Sequence, residues 1–173
     1  MFRRLRNGAI MLAIAATGVL LYGGQAQAEP TPTPVAVEVL TPRAAFTDDA
    51  SMQLRLKDDH GTNVIKTSDP SNIVTTKVTV QPGAPIPWHT HHGPVFVTIV
   101  KGELTYISSE GCASRRYPAG NAFIDPGHGN VHAAFNSGPT VTEFVAVFFE
   151  APPGDAPITI PADAPTGCKI PTS

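Results

Sequence analysis

The 173-residue chain has only two cysteines, one tryptophan and no block of like charge, and each shortage narrows what the chain can do. There is no phosphate-cradling glycine loop and no dinucleotide fingerprint, so nucleotide-dependent chemistry has no sequence support. Beyond residue 28 no segment of useful length carries apolar residues at helical spacing, which argues against a helical or α/β fold. No lipobox-type cysteine follows the N-terminal apolar stretch, so a lipid anchor is not indicated.

That apolar stretch has the layout of a secretory leader. Arg3, Arg4 and Arg6 precede the run Ala9 to Leu21, and Ala26-Gln27-Ala28 offers a small-x-small cleavage site. The run is short for a membrane span. Arg6 and Asn7 stand where twin-arginine export favours apolar residues, which points to the general secretory route. The expectation is a leader at 1–28 and a mature chain that is secreted, periplasmic or otherwise in the cell envelope. Removing three of twelve basic groups leaves nine against fourteen acidic ones, a net charge of −5. A mildly acidic domain of 145 residues argues against nucleic acid or anionic membrane as partner.

Residues 29–71 divide into an extended proline-threonine linker, Glu29 to Pro34, and weakly periodic pieces at Val35 to Leu40 and Met52 to Leu56. These read as edge strands or an arm. Over 72–150 the strands are clear: Ile73 to Val80, Val95 to Lys101, Glu103 to Ile107, Asn121 to Ile124, Val131 to Asn136 and Val141 to Phe149. Short strands bounded by Gly, Pro, Asn or Ser predict an all-β sandwich or barrel. Residues 151–173 form a proline-rich tail.

Three histidines carry the chemistry. Residues two apart on a strand point the same way, so His89 and His91 present their imidazoles together, and a later strand can supply His132. Imidazole is the common borderline ligand for transition metals.

The surroundings of these histidines resemble the two motifs of the cupin family. In the first, five residues separate Gly83 from His89. Then come Thr90, His91, the apolar run Val95 to Val100, and Gly102. In the second, five residues separate Gly120 from Pro126, followed by Gly129, His132 and Asn136. The resemblance implies a jelly-roll β-barrel, with the N-terminal arm and the proline-rich tail added to it. It also implies a divalent metal (Fe, Zn, Mn, Ni or Cu) held by His89, His91 and His132. A small-molecule ligand or substrate and a homodimer are implied as partners. Dioxygenase-like oxidoreductase chemistry and non-enzymatic metal or ligand binding both occur among such barrels, and fold alone does not choose between them.

Two departures matter. The family pattern has a glutamate where this chain has Val95, so an anionic ligand is missing and a neutral three-histidine site remains. The turn Pro126-Gly127-His128-Gly129 is one residue longer than the pattern. His128 therefore reads as a fourth ligand, a proton shuttle or an exposed loop residue. Glu143 replaces the missing carboxylate if it faces inward and is a surface group if outward. Both parities of its strand are apolar.

Several residues have a packing reading beside a functional one. Trp88, Tyr106 and Phe123 fit barrel walls or ligand contacts, while His92 should point away from His91 and His60 lies outside both motifs. Val95, Val97 and Ile99 should face inward, leaving an apolar outer face that needs a cover: the arm, a neighbouring sheet or a second copy. Small Ala134 beside His132 leaves room for a ligand. Cys112 and Cys168 can pair in an oxidising compartment and fasten the tail to the barrel; neither spacing nor neighbours favour a redox pair or soft metal ligands.

Overall fold

A computed structural model describes residues 33–58 and 61–171; the leader and His60 lie outside them. Every described element is a strand, and no helix among the described residues is long and apolar enough to cross a membrane. The strands are β1 (Val35–Ala44), β2 (Met52–Asp58), β3 (Gly61–Thr67), β4 (Ile73–Val80), β5 (Pro85–Thr90) and β6 (Val95–Lys101). They continue as β7 (Glu103–Ser108), β8 (Ser114–Pro118), β9 (Ala122–Asp125), β10 (His132–Phe135), β11 (Thr142–Phe148) and β12 (Ile160–Pro161).

Two five-stranded antiparallel sheets run β1-β4-β11-β6-β9 and β12-β5-β10-β7-β8, and β2-β3 forms a separate hairpin. Alternation dictates what lies between the sheets. On β4, Val74, Thr76, Val78 and Val80 are buried while Ile73, Thr75, Lys77 and Thr79 are not. Strands β6 and β11 bury Val95, Val97, Ile99, Phe144, Ala146 and Phe148 in the same way. They meet Leu104 and Ala134 of the facing sheet in one core. β-branched side chains suit this half-buried pleated surface, so pattern and propensity agree. The jelly roll expected from the sequence is the fold observed.

A second, smaller cluster sits on the outer side of the other sheet. Trp88, Ile107 and Ala133 pack there against Cys168, with Ile170 beside them. Trp88 is thus a wall residue under the C-terminal tail. The tail runs along β5 as β12, pairing Ile160 with Thr90 and Pro161 with His89. A disulfide between Cys112 and Cys168, with Cα atoms 5.3 Å apart, secures it.

The arm does not cover the outer face of β6. Instead β1 extends the sheet in plane, pairing with β4 from Val35↔Val80 onward, and Val100 stays 58% exposed. Edge pairing satisfies backbone groups that a crossing arm would leave open. Arg43 then ties β1 to the tail, donating to the carbonyls of Pro152 and Ala156 at 2.6 Å each.

Two turns position the site. Gly102, at φ 71°, makes the tight β6–β7 turn, where a Cβ would stand 2.7 Å from the carbonyl of Val141. Gly127, at φ 63°, lies against Gly93, and a Cβ there would fall 2.0 Å from the Gly93 carbonyl oxygen. This contact joins the two histidine-bearing segments, and His128 N–H donates to His91 O at 3.0 Å across it.

Replacing Cys112 and Cys168 by serine should lower unfolding free energy by roughly 4 kcal/mol, as expected for opening a loop of this length. Denaturant titration of the oxidised protein against the double variant measures it. Equal midpoints would show that the tail needs no cross-link.

Candidate metal centre

His89 on β5 and His132 on β10 are direct partners in an antiparallel register, and His91, two residues beyond His89, regains the same side. Ring centroids lie 4.3 Å apart for His89 and His132, 4.8 Å for His89 and His91, and 5.2 Å for His91 and His132. One ring nitrogen from each histidine lies within 4.8 Å of those of the other two.

Each ring is held by its other nitrogen. Nδ1 of His89 donates to the Pro87 carbonyl at 2.6 Å, and Nδ1 of His91 to the Ile158 carbonyl at 3.1 Å. Nδ1 of His132 donates to the Asn130 carbonyl at 3.4 Å and lies 3.1 Å from a carboxylate oxygen of Asp125. A carbonyl or carboxylate only accepts, so the proton sits on Nδ1 in all three and Nε2 keeps its lone pair. This is the outer-shell arrangement that orients metal-binding imidazoles.

Burial keeps these rings neutral. It pushes His91 and His132 down to about 4, with His89 adding repulsion in both; Asp125 opposes this without reversing it. The His89 ring is also lowered, chiefly by burial. Three neutral donors under a largely apolar roof fit a borderline divalent cation, so the residues present match the group the motif implies.

Asp125 escaped the sequence reading. It is 1% exposed, and its carboxylate accepts from the Tyr106 hydroxyl, from Asn130 Nδ2 and from the Gly127 backbone, each at 2.8 Å. The Tyr106 ring stacks on His132 at 4.8 Å, and burial, with Asp125 beside it, pushes its phenol well above the ordinary tyrosine range. Asp125 stands directly across from Val95 in the β6–β9 register. The carboxylate missing at residue 95 is thus supplied from the neighbouring strand, and it acts on His132 rather than on the common centre.

Other sequence candidates lie elsewhere. Glu143 faces outward and pairs with Lys77 at 3.2 Å and Lys101 at 3.6 Å, and the Lys77 hydrogen bond above all holds its carboxyl below the ordinary glutamate range. His128 is outside the cluster: the extra turn residue, at φ 50°, carries the ring to Glu150, 2.6 Å from Nε2. Glu150 also meets Thr67 of the β2–β3 hairpin. His92 is exposed, as expected. Asn136 is fully buried and structural, donating to the carbonyls of Val80 and Thr140.

A cavity of about 210 Å³ opens from the cluster. His89, His91, His132, Tyr106 and Asp125 form its polar end, and residues such as Val97, Leu104 and Phe144 its apolar body. Ala134 lines it, leaving the room expected beside His132.

Residues 76–148 match the family profile described as the cupin domain. This segment is a cupin domain. Solved structures are similar to this chain at low identity. An uncharacterised conserved protein with a double-stranded β-helix domain from Klebsiella pneumoniae is 23% identical over 79% of this chain and 84% of its own, with a TM-score of 0.44. The cupin domain of an XRE-family transcriptional regulator from Enterobacter cloacae is 18% identical over 69% and 99%, with a TM-score of 0.45. A Bacillus subtilis oxalate decarboxylase variant is 28% identical over 44% of this chain, which spans only 21% of that enzyme, with a TM-score of 0.40. No curated protein matches the chain. None of these likenesses carries an activity to it.

Asp125→Asn should weaken metal binding about 10- to 100-fold, because a carboxylate partner on His132 is replaced by an amide. Competition titration with zinc and a chromogenic chelator reads this; an unchanged constant would remove Asp125 from the site. Acid should also act on the metal-free protein. Unfolded histidine takes a proton near 6.5, whereas His91 and His132 do so only at about 4 when folded. The unfolded state therefore binds more protons across that interval, and stability falls as pH drops from 6.5 toward 4. Denaturant midpoints that stay level over this range would contradict it.

Proposed function

We propose that this cupin holds one divalent transition-metal ion at Nε2 of His89, His91 and His132. We further propose that it is an exported oxidoreductase, dioxygenase-like, acting on a small molecule in the adjoining cavity. The observation that carries the metal reading is the common tie of all three Nδ1 atoms to backbone carbonyls, which leaves the Nε2 lone pairs free. Fe, Zn, Mn, Ni and Cu all accept such a donor set. When bound, the ion supplies Lewis acidity to an oxygen ligand, and iron adds the capacity to activate dioxygen.

The chain's own groups do the rest. The apolar walls exclude water and select a ligand with a hydrocarbon body, while the polar end receives its oxygen atoms. The Asn130 carbonyl fixes the His132 tautomer, and Asp125 beside it would balance part of the ion's charge. The leader supports export, and the disulfide suits an oxidising compartment. The acidic mature chain supports small-molecule partners rather than nucleic acid or membrane. The exposed apolar side chains Val37, Val39 and Val100 suit a homodimer.

One observation favours a second reading, a non-enzymatic metal- or ligand-binding cupin. Both oxygens of Asp125 are engaged and the Tyr106 hydroxyl is donated to it, so beyond the three histidines the polar end holds no free general base. Metal analysis of the purified protein, with oxygen uptake measured for wild type and His132→Ala, separates the two. Stoichiometric iron with uptake that disappears in the variant supports the oxidoreductase. Stoichiometric metal without turnover supports the binder, and a wild type that takes up no metal would defeat the metal reading and the oxidoreductase, leaving ligand binding alone.

A further inference from the structure

The apolar half of the cavity contains one buried polar group without a protein partner. Thr76 is fully buried, its hydroxyl makes no hydrogen bond, and its side chain lines the cavity. Its neighbours on the inward face of β4 are Val74, Val78 and Val80, so valine of nearly the same shape would fit the pattern and avoid the orphaned hydroxyl. Thr90, the other such hydroxyl among the described residues, is not a cavity wall.

Register places Thr76 relative to the histidines. Thr76, Ala146 and Val97 form one inward layer across β4, β11 and β6. The adjacent layer is Val74, Phe148 and Val95, and the Phe148 ring lies 5.1 Å from His91. The hydroxyl is therefore one two-residue step, about 6.6 Å along the strand, beyond the layer that meets the imidazoles.

We propose that Thr76 is a specificity residue. Its hydroxyl donates to a second oxygen function on a small organic acid whose acidic end meets the three histidines and whose hydrocarbon middle fills the apolar walls. The ligand class is a short monocarboxylate bearing one hydroxyl or carbonyl several carbons from the carboxylate. An unpartnered buried hydroxyl favours a ligand that supplies the missing bond and discriminates against its deoxy analogue, whose binding leaves that group unpaired.

The inference rests on the metal reading above, and the experiment separates the two. Zinc-loaded full-length protein is titrated calorimetrically with hexanoate and with its mono-hydroxylated derivatives, whose hydroxyl lies at different distances from the carboxylate. One derivative should bind about tenfold more tightly than hexanoate. Thr76→Val should erase that preference, leave hexanoate binding unchanged and raise the melting temperature. Equal binding of all the acids, binding of none, or a preference that survives in Thr76→Val would overturn the proposal. Zinc affinity, measured alone in the same proteins, reports on the histidines: intact zinc binding with no acid preference sinks only the role of Thr76, and loss of zinc binding sinks the metal reading as well.

Discussion

The site depends on the three bonds that occupy Nδ1 of His89, His91 and His132. An imidazole can present either nitrogen, and a ring on a single Cβ turns readily, so proximity alone does not make a ligand set. Here each ring is aimed by an acceptor from a different part of the chain: the Pro87 carbonyl on the same strand, the Ile158 carbonyl on the tail, and the Asn130 carbonyl in the turn before β10, with the Asp125 carboxylate beside it. The fold's less regular features serve these acceptors. The disulfide and β12 hold the tail that carries Ile158, and the Gly93–Gly127 contact locks the turn after Asp125 against the segment after His91.

Charge follows the same logic. Val95 removes a carboxylate from the expected ligand position, and Asp125 restores one directly across the β6–β9 ladder. Moving the anion from Val95 to Asp125 changes its effect. A first-contact carboxylate would neutralise the ion and occupy a coordination position, whereas Asp125 spends its oxygens on Tyr106, Asn130, Gly127 and His132. An ion held by the three histidines would keep its remaining positions open to a ligand, in a cavity whose body is apolar.

Much of this was legible in the sequence because it is local. Period-two alternation marks β4 and β6, and the spacing of Gly83, His89, His91, Gly129 and His132 marks the paired motifs. A strand through His89 was legible, but its start at Pro85 was hidden because Pro85 and Pro87 argue against a strand; the ladder accommodates them with a register shift between His132 and Ala134. The parity of Glu143 was unreadable because both faces of β11 are apolar, and only its place beside Lys77 and Lys101 turns it outward. Asp125 was missed because its meaning lies in cross-strand pairing with β6, though a carboxylate closing the apolar strand Ala122–Asp125, in step with Phe123, was a usable signal. The hydroxyl of Thr76 gave no signal at all, since threonine is an ordinary strand residue.

Nitrogen-15 NMR of the metal-free protein tests the central claim most directly. The account predicts that His89, His91 and His132 are neutral at pH 7 with the proton on Nδ1, and that one equivalent of zinc shifts the three Nε2 resonances together. Protons found on Nε2, or a zinc response confined to one or two of these rings, would contradict it.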